Sequence, residues 1–175
     1  MAETIRVLVS EAEVDKRIEE LGRKISEDYA GKQVHLICIL KGGVFFMCEL
    51  AKRITVPVSM DFMCVSSYGD GTASSGVVRI AKDLDETIEG KDVLIVEDII
   101  DTGRTLNDVV KLLKARGPLS LRVITLLDKP SRRIVDFNPD MALFEIEDRF
   151  VIGYGLDCGE MYRNLPYIAE YDETK

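Results

Sequence analysis

Tryptophan is absent from the 175-residue chain, histidine occurs once and proline five times. The single histidine, His35, excludes a multi-histidine metal centre, and its place inside "VHLICIL" reads as a strand position. Four cysteines, at 38, 48, 64 and 158, include no pair with C-x-x-C spacing. This argues against a zinc module or a disulfide framework and fits reduced, packing thiols in a cytoplasmic protein. Long apolar runs are missing too: "GGVFFMC" and "VLIV" fall far short of the ~20 residues of a membrane span, so no membrane association is expected. The N-terminus shows no basic region followed by an apolar one, so no secretory signal is read. Positive charge is scarce, with 23 Lys and Arg against 31 Asp and Glu for a net −8. That balance argues against non-specific nucleic-acid binding but leaves room for a local basic site. Neither G-x-x-x-x-G-K-[ST] nor G-x-G-x-x-G occurs, which removes the Walker A and dinucleotide loops.

What is present has the composition of a globular domain, 46% apolar and 31% charged, without repeats or low-complexity segments. Residues 1–175 therefore read as a single domain with a substantial core. Ser10 and Glu13 have capping-box spacing, and Val14, Ile18, Leu21 and Ile25 recur at helical intervals, predicting a helix that ends near Gly31. "QVHLICIL" suits a central parallel strand; "KGG" breaks it and "VFFMCELAKRI" reads as a helix. Strand patterns follow in "VSMDFMCVSSY", "VVRI", "DVLIV", "LRVITLLDK" and "RFVIGYGLD", the last expected to be long. "RTLNDVVKLLKARG" reads as a helix capped by Asp101 or Thr102. The alternation predicts an α/β fold with a central, mainly parallel sheet flanked by helices, whose sites lie at the carboxyl ends of strands.

"VLIVEDIIDTGRT", Val93 to Thr105, runs a core strand into adjacent acids, which stability alone does not favour. Gly103 permits a tight turn, and the free amides there, with the Thr102 and Thr105 hydroxyls and the helix dipole, suit a phosphate. Glu97 and Asp98 would face the sugar on that phosphate, accepting its hydroxyls, and Asp101 stands at the mouth of the loop. The plainer reading is an acidic loop that caps a helix.

This segment resembles the phosphoribosyl-diphosphate (PRPP) signature of the type I phosphoribosyltransferase family, in a form most similar to its hypoxanthine-guanine members. "LKGG", "SSYG", "LLDKPSRR" and "FVIGYGLDCGEMYRNLPYI" match the same family in the same order. The resemblance implies the type I fold, with a core over about residues 30–150 and a small hood from the N-terminal segment and 150–175. It implies Mg²⁺-dependent purine salvage, in which hypoxanthine or guanine displaces pyrophosphate from PRPP. It makes Asp101 the general base; Glu97, Asp98, Asp101, Thr102, Gly103, Arg104 and Thr105 the ribose-phosphate site; and Lys41, Gly42 and Arg163 the pyrophosphate contacts. Arg104 stands where the family often has lysine, a small change in a loop that binds through its amides. Lys129 would donate to the purine O6, Phe150 would stack on the ring, and Val151 and Asp157 would complete the base site. Asp157, Glu97 and Asp98 would serve Mg²⁺. The Leu40–Lys41 peptide would adopt a cis form, and Ser67 and Tyr68 would tip a lid over Ser66–Gly76. Family members form dimers or tetramers, which implies a homo-oligomer. On residue chemistry alone, Lys129 reads as a surface lysine and Phe150 as core.

Two other classes fit less well. A nucleic-acid-binding regulator on the same fold would show a basic face or an added domain, and a PRPP-making kinase a longer chain with ATP-binding elements.

Overall fold

The computed structural model describes residues 3–67 and 78–173. Tyr68 and the rest of the expected lid tip therefore lie outside the described residues, as does the Ser67 side chain. A six-stranded sheet has the order β4-β3-β2-β5-β6-β7. Its strands are β2 (Val34–Leu40), β3 (Val58–Ser67), β4 (Val78–Lys82), β5 (Asp92–Ile100), β6 (Ser120–Asp128) and β7 (Met141–Glu145). All neighbours pair in parallel except the β3–β4 edge, which is antiparallel. One face packs on α1 (Glu11–Asp28) and α2 (Val44–Ala51), burying Ile18, Ile25, Leu36, Phe46 and Leu94. The other packs on α3 (Arg104–Lys114), burying Ile37, Ile95, Val109 and Leu113. β2 and β5, covered on both faces, are continuous apolar runs for that reason.

Local chemistry sets the element ends. The capping box at α1 is complete: Ser10 Oγ accepts from Glu13 N, and the Glu13 carboxylate accepts from Ser10 N. α1 closes at Asp28, with Gly31 in a left-handed conformation just beyond. His35 is buried in β2 with Nδ1 2.8 Å from Ser59 Oγ, and all four cysteines are free.

Three expectations need correction. β5 does not stop before the acids; it continues to Ile100, so Glu97 and Asp98 lie inside the strand. Neither Asp101 nor Thr102 caps α3. Gly103 occupies the N-cap position at φ 79°, without a side-chain cap, and Thr102 Oγ1 accepts only a 3.4 Å bond from Arg104 N. "RFVIGYGLD" is not a long strand. Only Val151–Ile152 (β8) is extended, because positive φ at Gly153, Tyr154 and Gly155 turns the chain away. β8 instead joins a second antiparallel sheet, β1-β9-β8, with β1 (Glu3–Val9) and β9 (Ile168–Glu173), neither of which was anticipated. β7 was also missed. No helix among the described residues is long and apolar enough to cross a membrane.

Candidate active site

Most of the side chains singled out from sequence gather where β2, β5 and β6 end. Leaving β5 at Ile100, the chain turns through Asp101, Thr102 and Gly103 and enters α3 at Arg104. Gly103 is required twice over. Its left-handed φ is one that side chains rarely adopt, and a Cβ there would sit 2.9 Å from Arg133 Cδ. Glu97, Asp101, Thr102, Gly103 and Thr105 line a cavity of about 230 Å³ floored by Ile39, Val65 and Leu106. A larger cavity of about 440 Å³ lies between Lys24, Asp28, Arg122 and Asp140. Its cations are already met, since Asp28 pairs with both Lys24 and Arg122.

Burial and the neighbouring Asp98 charge push the Glu97 carboxyl well above the usual carboxylate range. Asp98 Oδ1 accepts from Ile99 N at 2.7 Å. Its other oxygen occupies the space where Gly42 lacks a side chain, since a Cβ on Gly42 would fall on that carboxylate. The Leu40–Lys41 peptide leading into this loop is cis. A Cβ on Gly155 would in turn fall on the Gly42 carbonyl. Asp98, Gly42 and Gly155 are thus stacked in contact, joining the central strand, the loop after β2 and the turn after β8.

Two charge networks flank the stack. On one side the Asp101 carboxylate accepts from Arg132 Nε at 3.0 Å, and Arg132 also reaches Asp148 at 3.4 Å. Lys129, only 7% exposed, donates to the Arg149 carbonyl at 2.5 Å and lies 3.9 Å from Asp148. Its backbone N–H bonds to the Ile100 carbonyl, which brings the end of β6 beside the turn. Phe150 follows, 55% exposed as a residue, with its ring 6.2 Å from that of Tyr171, while Val151 is buried in the β8–β9 ladder. On the other side Arg163 meets Asp157 at 2.9 Å, Glu160 at 3.2 Å and the Gly155 carbonyl at 2.8 Å. Lys41 meets Glu160 at 2.8 Å, which holds the Glu160 carboxyl below its usual range.

The fold thus assembles the residues singled out from sequence into two groups: Asp101 with Lys129 and Phe150, and Lys41 and Gly42 with Asp157 and Arg163. Arg132, Asp148 and Glu160 were not singled out, although each pairs with a residue that was. Single charges in mixed-charge loops give little signal until the chain is folded.

Among the described residues no three His, Cys, Asp or Glu side chains converge as a metal cluster. The donor set still fits Mg²⁺, which takes one or two carboxylates and fills its shell with substrate oxygens and water. Glu97, whose charge is disfavoured beside Asp98, would gain from a cation; Asp157 is already met by Arg163.

The family profile of the phosphoribosyl transferase domain matches residues 9–158. The hypoxanthine-guanine phosphoribosyltransferase of Streptococcus thermophilus is 48% identical over 168 residues, covering 96% of this chain and 93% of that protein. The hypoxanthine phosphoribosyltransferase of Salmonella typhimurium is 50% identical over 172 residues, covering 97% of each. A crystal structure of the Staphylococcus aureus hypoxanthine phosphoribosyltransferase superposes with a TM-score of 0.92 at 49% identity, covering 95% of this chain and 91% of that one. Such agreement along nearly the whole length, in sequence and in fold, makes the chain a member of the phosphoribosyltransferase family, among its hypoxanthine(-guanine) enzymes.

Proposed function

We propose that this chain transfers the 5-phosphoribosyl group of PRPP to hypoxanthine and guanine, giving IMP or GMP and pyrophosphate, as a cytoplasmic homo-oligomer. The reading rests on one observation above others. A left-handed Gly103 opens α3 at the end of a strand bearing Glu97 and Asp98, and buried Lys129 lies beside that turn. The 5′-phosphate fits the amides of residues 101–105, where the helix dipole also favours an anion. Glu97 and Asp98 accept the ribose hydroxyls, and their charge suits the cationic sugar carbon of an oxocarbenium-like transition state. Asp157 and the acid pair would hold Mg²⁺ together with substrate oxygens, and the ion would neutralise charge on the diphosphate.

Asp101 receives the proton from the attacking purine nitrogen, with Arg132 fixing its carboxylate. Lys129 donates to O6 and so rejects adenine, whose amino group cannot accept that bond. Phe150 offers a ring face for stacking, and Val151 the backbone beside it. Lys41, Gly42 and Arg163 receive the pyrophosphate. In this reading the three-stranded sheet serves as the hood of a single catalytic domain, and Ser67 and Tyr68 belong to the lid that excludes water from the reacting carbon.

The test is a spectrophotometric assay with PRPP, Mg²⁺ and hypoxanthine, guanine, xanthine or adenine in turn. Turnover of the first two is expected. Asp101→Asn is expected to lower kcat by about 100-fold or more with PRPP binding largely kept. Undiminished turnover in that variant would remove Asp101 from the role of base.

A further inference from the structure

Arg132 and Arg133 are adjacent, yet they grip the same residue in different ways. Arg132 holds the side chain of Asp101, whereas Arg133 holds its backbone: one guanidinium nitrogen of Arg133 donates to the Asp101 carbonyl at 2.5 Å. The other donates to the carboxylate of Asp128, the last residue of β6. Both side chains of that pair are only 11% exposed. The next two residues of the turn rest on the same support. Thr102 O accepts from Ile134 N at 3.2 Å, and Gly103 lies against the Arg133 side chain.

We propose that Arg133, anchored by Asp128, is a positioning residue that sets the phosphate-binding turn of residues 101–103 for PRPP. Stability alone does not account for the arrangement. A buried ion pair roughly breaks even against apolar residues of similar size. The Arg133 Nε–H is also buried with no acceptor among the described residues, which costs further stability. What the guanidinium does achieve is geometric. Its planar fork ties the end of β6 to the peptide after Asp101, fixing the direction of the Asp101 carbonyl. In a trans peptide the N–H points opposite to the C=O. With the Asp101 and Thr102 carbonyls held, the N–H groups of Thr102 and Gly103 therefore face the other way, where the ligand phosphate would lie. Lysine could neutralise Asp128, but it has no second nitrogen in the plane with which to hold the carbonyl.

This inference rests on the reading of residues 101–105 as the PRPP phosphate site, so both are tested on the same protein. Arg133→Lys and Asp128→Asn are compared with the wild type for KM of each substrate, kcat, PRPP binding by calorimetry and Tm. Arg133→Lys is expected to raise KM for PRPP roughly 10- to 100-fold, the worth of one charge-assisted hydrogen bond. KM for hypoxanthine should stay within about twofold, and Asp128→Asn should act in the same direction more weakly. The double variant should be little worse than Arg133→Lys, because both act through one contact. PRPP KM within about twofold of wild type in both variants would overturn the inference. So would both KM values rising together as Tm falls, or the unfolding of both variants, since each marks a structural role. A wild type that binds no PRPP would instead reject the functional reading itself, and this inference with it.

Discussion

Glu97 sits where β5 leaves the core, and its burial beside Asp98 works against its own charge. A carboxyl whose folded pKa is raised contributes stability that is fully present below its unfolded value of about 4.3. That contribution is lost as pH rises toward the folded value, so at neutral pH this carboxyl works against the ligand-free fold. Glu97→Gln should therefore raise Tm at pH 7 by about 2–4 °C, the shift that roughly 1 kcal/mol produces in a chain of this size. It should also lower kcat/KM for PRPP by about tenfold or more, because an amide holds neither sugar hydroxyls nor cation as a carboxylate does. Thermal melts paired with initial rates check both, and a lower Tm would show that the charge is already well compensated. The acid pair was legible in sequence because a core strand running into carboxylates breaks the pattern that stability favours. Arg132 and Arg133 were not, since "PSRR" looks like an ordinary solvated loop. Their importance depends on Asp101, 31 and 32 residues away, which only the packed chain brings near.

Among the elements, α1 was readable almost to the residue because its signals are local: a capping box, apolar residues three or four apart and a left-handed glycine beyond its end. The last strand was misread for the opposite reason. "RFVIGYGLD" is apolar enough to read as a strand, but the bend at Gly153–Gly155 is imposed by what it packs against. A Cβ at Gly155 would meet the backbone carbonyl of Gly42, which no side-chain rotation relieves, and φ there is 102°. Gly155→Ala should accordingly cost about 1–3 kcal/mol from backbone strain alone, before any clash is added. We expect a Tm several degrees lower and a higher KM for pyrophosphate in the reverse reaction, because the loop after β2 must shift away from the turn at Gly155. An unchanged KM would mean that the loop keeps its place without the hood turn.

At the scale of the whole molecule, the alternation of strand and helix identified the layered α/β class, but not the order of its strands. β1 and β9 escaped notice because their small sheet is only partly covered, with Ile5 and Val7 40% and 51% exposed, so the apolar pattern is diluted. The large sheet has the opposite character at its centre. β5 pairs with β2 on one side and β6 on the other, and Val93 to Val96 are fully buried. Its far end carries Glu97, Asp98 and the turn at Asp101. Amides in such a position exchange with deuterium only when the molecule opens globally. Those of Val93–Val96 should therefore be among the slowest in the chain, and β1 among the fastest strands, when exchange is followed by mass spectrometry. The acids proposed to hold the ribose and take the proton would then be mounted on the portion of the protein that is last to come apart. Damage or heating that loosens the three-stranded sheet would then stop turnover while the acids still held their places.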